Sequence, residues 1–92
     1  MNQLPELLLF TSAFCDPCML TREVLAEVKR LVPAINVREF DIVRHEPQAA
    51  AFDILTTPTV VLANASGTEI FRASGVPTIN QVLTAVAGAM AP

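Results

Sequence analysis

Hydrophobic and polar residues switch between strand-like and helix-like spacing along the chain. The apolar run Glu6–Thr11 is short and follows Pro5, which favours a strand buried on both faces. From Pro17 the spacing becomes helical, and Pro33 ends the predicted helix. The predicted apolar face of this helix comprises Leu20, Val24, Leu25, Val28, Leu31 and Val32.

The middle of the chain predicts a strand, a short helix and a hairpin. Residues 35–41 have strand composition, and Glu46-Pro47 opens a short helix that runs through residue 55. Residues 58–64 are β-branched and apolar, and turn residues 65–68 separate them from the alternating segment Glu69–Ser74. We expect these last two segments to form an antiparallel hairpin.

A capping box marks the start of the last helix. The hydroxyl of Thr78 can accept a hydrogen bond from the backbone N–H of Gln81, and the Gln81 side chain can reach back. The residues that follow have helical spacing. Its apolar face comprises Ile79, Val82, Leu83 and Val86.

The element order is therefore β-α-β-α-β-β-α, which predicts an α/β fold. Strands joined through a helix should be parallel with a right-handed crossover, and the hairpin should add antiparallel strands. We expect one four-stranded mixed sheet with helices on both faces, in a single domain that spans residues 1–92.

Composition and charge exclude several classes of function. The chain is 52% hydrophobic and 16% charged, which fits a compact core better than a disordered chain. Its formal net charge is −3 and its cations are scattered, so we expect no nucleic-acid partner. The longest apolar run is too short for a membrane span, and no basic region precedes an apolar signal segment. We therefore expect a cytoplasmic protein that does not bind membranes.

The two cysteines, Cys15 and Cys18, lie at the junction of the first strand and the first helix. Cys15 would occupy the N-cap, with Pro17 in the first turn, where its missing N–H costs nothing. The backbone N–H of Cys18 and the helix dipole would both lower the pKa of the Cys15 thiol. Cys18 lies within reach of a mixed disulfide on Cys15 and could resolve it. This spacing predicts a reversible dithiol/disulfide couple with Cys15 as nucleophile.

Asp16 lies between the two cysteines and should modify this couple. Its carboxylate disfavours a neighbouring thiolate by charge repulsion. We therefore expect a less strongly oxidising pair than a motif with a neutral residue at this position.

Two other uses of the cysteines remain open from the residues alone. A structural zinc site needs four ligands, and only the distant His45 could join the pair within one chain. Two inert, buried thiols are the other alternative. We expect no metal, and we interpret His45 as a solvated surface residue.

Taken together, these residues resemble the thioredoxin-like family, whose core has this element order and a CxxC at the same junction. The segments 46–62 and 65–83 are similar to the family's later half, so the resemblance covers nearly the whole chain. It implies a cis bond between Thr57 and Pro58, a docking role for the Thr57 backbone, and a surface-shaping role for Pro58 and Gly75. Phe14, immediately before Cys15, has two interpretations: it is exposed and contacts an apolar segment of the substrate, or it packs in the protein.

The chain departs from thioredoxin proper at several points. Phe14 stands in place of a Trp, Leu9 aligns near the buried Asp that assists the second cysteine, and no N-terminal strand and helix precede Glu6. The short length is similar to that of glutaredoxins. However, glutaredoxins bind glutathione with basic residues near the CxxC and a Gly-Gly/Asp cluster before the last helix, and this chain has no cation or Asp at those positions.

The resemblance implies a thiol-disulfide oxidoreductase that reduces protein disulfides with electrons from a reductase. It implies no cofactor beyond the reversible Cys15–Cys18 disulfide. We expect a monomer. The alternatives are a glutathione-dependent, glutaredoxin-like protein and a non-catalytic module that senses redox state or binds partners.

Overall fold

The computed structural model describes residues 4–91 and has the predicted order of strands and helices. The elements are β1 (Glu6–Thr11), α1 (Asp16–Leu31), β2 (Asn36–Asp41), α2 (Glu46–Ala51), β3 (Thr59–Ala63), β4 (Glu69–Ser74) and α3 (Ile79–Met90).

The four strands form one mixed sheet in the order β2-β1-β3-β4. β1 and β2 are parallel, whereas β3 is antiparallel to both β1 and β4. Both predicted strand relationships are confirmed. Because β1 is central, its carboxyl end brings the loop after Thr11 beside the start of β3, where Phe10 pairs with Thr59.

Side chains alternate across the sheet and build a core on each face. Leu7 and Leu9 of β1 belong to the larger core, with residues of α1 and α3, and Leu8 and Phe10 belong to the smaller one, with Ala49 of α2. The helices thus cover both faces, which confirms the predicted fold class.

The buried face of α1 differs from the predicted one. Its buried residues are Cys18, Thr21, Leu25 and Val28. Leu20 and Leu31, which were predicted to face the core, are 55% and 47% exposed. The face of α1 that packs on the sheet includes Cys18, and Leu20, two residues further on, lies about 200° around the helix from it, while Leu31 is the last residue of the helix.

α2 ends at Ala51 and does not continue through residue 55 as predicted. Asp53 adopts a left-handed backbone conformation with φ of 50°, which an α-helix does not allow. The guanidinium of Arg72 in β4 also donates to the backbone carbonyl of Phe52. A residue distant in sequence thus contacts the end of α2.

The predicted capping box of α3 is present. The hydroxyl of Thr78 accepts from the backbone N–H of Gln81 at 3.1 Å, and the Gln81 side chain accepts from the backbone N–H of Thr78 at 2.9 Å. Among residues 4–91, no helix is both long and apolar enough to cross a membrane.

Candidate active site

Cys15 occupies the N-cap of α1, as the spacing predicted. Its backbone is extended, and its sulfur accepts a hydrogen bond from the backbone N–H of Cys18 at 3.1 Å. Pro17 lies in the first turn, and Asp16 is exposed beside it. The helix N-terminus therefore directs a hydrogen-bond donor at the Cys15 sulfur, an environment that stabilises a thiolate.

The two cysteines form a disulfide, and their exposures differ. Their Cα atoms are 5.2 Å apart. Cys15 is partly exposed, whereas Cys18 is completely buried. An incoming substrate can therefore reach the sulfur of Cys15 and not that of Cys18.

Apolar side chains stand exposed close to the cysteines in sequence. Phe14 has a positive φ of 56° and its side chain is fully exposed, while Met19, next to Cys18, is 60% exposed. Of the two interpretations of Phe14, packing and exposure, the structure supports exposure. An exposed aromatic side chain beside the accessible sulfur can contact an apolar segment of a substrate.

The Thr57–Pro58 peptide bond is cis, as the resemblance implied. The carbonyl of Pro58 accepts from the backbone N–H of Gly75 at 2.8 Å, so these two loops lie together. Gly75 has φ of 87°, a left-handed conformation that favours glycine. Thr57 and Gly75, which are distant in sequence, thus lie at one partly exposed surface, and Pro58 is buried between them.

A side-chain hydrogen bond connects this surface to the loop before the cysteines. The hydroxyl oxygens of Ser12 and Thr57 are 2.6 Å apart. Ser12 was not among the residues singled out from the sequence. The contact spans 45 positions, and no periodicity or motif in the sequence indicates it.

Leu9, which aligns near the family's buried acid, lies in the larger core and is 2% exposed. The carboxylate nearest to it along the sheet is Glu39 of β2, which pairs with Leu9 in register. Glu39 accepts two hydrogen bonds from the guanidinium of Arg22 at 2.8 and 2.7 Å and one from the hydroxyl of Thr11 at 3.1 Å.

The hydrogen bonds from Arg22 lower the pKa of Glu39, against an opposing effect of burial, and the hydroxyl of Thr11 lowers it further. A carboxylate with a lowered pKa is a weak proton acceptor at neutral pH. Glu39 therefore does not replace the missing acid, and its ion pair instead connects α1 to β2.

Replacing Arg22 with Met should make stability less dependent on pH in the acidic range. A lowered pKa in the folded state adds stability above the unfolded pKa, and this stability is lost as the pH falls through the folded pKa. The pair is partly exposed, so we expect the variant to lose less than about 1 kcal/mol at pH 6. The loss should shrink towards pH 3.

Urea unfolding at several pH values, followed by circular dichroism, would measure this difference. Lys29→Met, which removes a cation that donates to the backbone carbonyls of Pro33 and Ile35, serves as the control. A deficit in Arg22→Met that stayed constant from pH 6 to pH 3 would contradict the role given to the Glu39 carboxylate.

His45 lies on the face of the sheet opposite α1, because its ring contacts Phe40 of the smaller core, with centroids 5.2 Å apart and ring planes 80° apart. It is exposed at the start of α2. Within residues 4–91, no group of three or more His, Cys, Asp or Glu side chains is arranged to hold a metal ion.

One curated protein has a sequence similar to that of this chain. No family model matches the chain. Over 74 residues the chain is 31% identical to thioredoxin C-3 of Corynebacterium nephridii, a match that covers 80% of this chain and 50% of that protein. The chain therefore spans about half the length of this curated relative.

Solved structures of thioredoxins superpose on nearly the whole chain. Thioredoxin-2 of the malaria parasite has a TM-score of 0.86 at 18% identity, covering 96% of this chain and 85% of that chain. Mitochondrial thioredoxin 3 of Saccharomyces cerevisiae, in its oxidised form, has a TM-score of 0.81 at 17% identity, covering 95% and 80%. Fasciola hepatica thioredoxin has a TM-score of 0.81 at 21% identity, covering 92% and 83%.

These likenesses establish the fold, and the sequence relative is described as a thioredoxin. With its β-α-β-α-β-β-α order and a CxxC at the start of α1, the chain has a thioredoxin-like fold and is similar in sequence to a thioredoxin.

Proposed function

We propose that this protein is a thiol-disulfide oxidoreductase that reduces disulfide bonds in proteins. The observation that carries the proposal is the asymmetry of the cysteine pair. The Cys15 sulfur is accessible and accepts a hydrogen bond at a helix N-terminus, while Cys18 is buried one turn further on.

In the proposed cycle, the thiolate of Cys15 attacks one sulfur of the substrate disulfide. That disulfide breaks, the other substrate sulfur leaves as a thiolate and takes up a proton, and a mixed disulfide to Cys15 forms. Cys18 then loses its proton and attacks the Cys15 sulfur, which releases the second substrate thiolate. The substrate gains two electrons and the protein becomes the Cys15–Cys18 disulfide, the form present in this structure.

The oxidised protein needs an electron donor to begin another cycle. We propose a dithiol or a reductase that delivers two electrons and two protons to the disulfide, and a cytoplasmic location, where such donors keep thiols reduced. Residues 10–19, around the cysteines, contain no Lys or Arg. A glutathione carboxylate would therefore find no cationic partner in that segment.

The surface beside the cysteines supports docking of an extended substrate segment. No backbone hydrogen bond within residues 4–91 uses the N–H or C=O of Thr57, so both groups are open to a substrate strand. Phe14 would contact an apolar side chain of that segment, while Pro58, which is itself buried, would hold the turn that presents Thr57.

Turnover of a protein disulfide tests the proposal. The wild type, with dithiothreitol as donor, should reduce insulin faster than dithiothreitol alone, and Cys15→Ser should show only the background rate. A wild type that bound partner proteins but matched Cys15→Ser in this assay would instead favour the non-catalytic module.

Asp16→Asn should make the couple more oxidising. Removing the exposed carboxylate beside Cys15 removes a charge repulsion that disfavours the thiolate, so the thiolate fraction at pH 7 should rise about two- to fivefold. Because stabilising the reduced form raises the reduction potential, the potential should rise as well.

Thiolate absorbance across a pH titration and equilibration with a dithiol buffer would measure the two quantities. Glu23→Gln, which removes an exposed carboxylate further along α1, is the matched control and should change neither. If Asp16→Asn behaved like the control, charge repulsion at this position would have no influence on the couple.

A further inference from the structure

The hydroxyl groups of Ser12 and Thr57 form the only side-chain hydrogen bond, within residues 4–91, between the loop before the cysteines and the loop before Pro58. The oxygen atoms are 2.6 Å apart, and the pair is partly buried. Neither the cap of α1 nor the disulfide requires this contact, so it calls for a separate explanation.

Two other hydrogen bonds hold the residues on either side of Thr57. The hydroxyl of Thr59 donates to the carbonyl of Thr56 at 2.7 Å, and the backbone N–H of Gly75 donates to the carbonyl of Pro58 at 2.8 Å. Neither of them fixes the Thr57 side chain. Among residues 4–91, the only hydrogen bond to the Thr57 side chain comes from Ser12, and it holds Thr57 against the segment that carries Cys15.

We propose that Ser12 is a positioning residue for substrate docking. This inference rests on the proposed function, in which the open backbone groups of Thr57 pair with an extended segment of the substrate. By holding the Thr57 side chain, Ser12 fixes the distance between this pairing edge and the Cys15 sulfur three residues further along its own loop. A substrate disulfide carried on a docked segment then meets the nucleophile in a defined register.

The proposal separates two kinds of substrate. A protein disulfide is positioned by its flanking backbone and depends on the orientation of Thr57. A small aryl disulfide has no flanking backbone and depends on the Cys15 thiolate alone. Loss of the Ser12 hydroxyl should therefore reduce the reactivity towards proteins more than the reactivity towards small disulfides.

The test measures kcat and KM of the wild type, Ser12→Ala, Thr57→Val and the double variant with insulin and with an aryl disulfide. For each single variant, kcat/KM for insulin should fall about 3- to 10-fold relative to that for the aryl disulfide, the range expected for one hydrogen bond. The change should lie mainly in KM. The double variant should lose no more than either single variant, because both substitutions remove the same contact.

Two variants distinguish a positioning role of the hydroxyl groups from a general loss of folding or activity. Thr57→Ser keeps a hydroxyl that can reach Ser12 and should retain the preference for insulin. Ser66→Ala removes an exposed hydroxyl in the turn at the opposite end of the sheet and should leave both activities unchanged. If Ser12→Ala did not fold, as judged by circular dichroism, the comparison of Thr57→Val with Thr57→Ser would carry the same test.

Equal losses on both substrates, or losses that add in the double variant, would overturn the positioning role and leave the proposed function intact. A wild type no faster than Cys15→Ser on insulin would overturn the proposed function and this inference with it.

Discussion

Replacing Cys18 with Ser should trap the protein as a stable mixed disulfide with its substrate, and replacing Cys15 with Ser should trap none. The accessible Cys15 sulfur still attacks in the first variant, but no buried thiol remains one turn away to release the product. In the second variant the remaining thiol is completely buried, so a protein disulfide cannot reach it.

The effect on turnover should be large because resolution within one molecule has a high effective concentration. Well-oriented intramolecular reactions correspond to effective molarities of about 10⁵ M or more, far above the millimolar thiols of an assay. We therefore expect steady-state reduction of insulin by Cys18→Ser to fall at least about 100-fold.

Mass spectrometry of the reduced variants after mixing with a protein disulfide would detect the trapped species. The adduct should have the summed mass of the two partners, should reach stoichiometric amounts with Cys18→Ser, and should disappear on addition of dithiothreitol. Trapping by Cys15→Ser and not by Cys18→Ser would reverse the assignment of nucleophile and resolving cysteine.

The architecture was predictable because it depends on local patterns. The apolar run of β1, the alternation in β4 and the capping box at Thr78 each determine a local structure, and the parallel pairing of β1 with β2 follows from the helix between them. The rotation of α1 about its own axis could not be predicted from the spacing of its apolar residues. Leu20 and Leu31 have the spacing of buried residues, but α1 packs through Cys18, Thr21, Leu25 and Val28 and leaves both leucines exposed.

The candidate site was predictable where a motif carries it. The N-cap position of Cys15 followed from its spacing to Cys18 and Pro17, whereas the cis bond before Pro58 came only from the resemblance. The contact between Ser12 and Thr57 could not be predicted, because it depends on how two loops from different parts of the sheet meet. The same limit applies to the ion pair of Arg22 and Glu39.

Leu9, where the family has a buried acid, should not tolerate one in this chain. Its side chain is 2% exposed and packs in the larger core, and its neighbours along the sheet are Glu39 and Val60. Leu9→Asp removes a buried apolar side chain and places a carboxyl group among the apolar side chains of the larger core. We expect the variant to lose roughly 3–6 kcal/mol of unfolding free energy, a large share of the stability of a small domain.

The loss should also depend on pH. Burial and the negative charge of Glu39 should both raise the pKa of the new carboxyl group above its usual value of about 3.9. A raised pKa in the folded state means that the folded protein binds more protons than the unfolded chain, so stability falls as the pH rises. Leu9→Asp should therefore be less destabilised at pH 5 than at pH 8.

Urea unfolding followed by far-ultraviolet circular dichroism would measure both effects, since the chain has no Trp or Tyr for fluorescence. Leu9→Asn is the matched control, because it places a polar group of similar size at the same position without a titrating proton. Its deficit should be the same at pH 5 and pH 8. A Leu9→Asp variant that lost less than about 1 kcal/mol, with the pH profile of Leu9→Asn, would show that this face of the sheet can accommodate an ionised carboxylate beneath the CxxC.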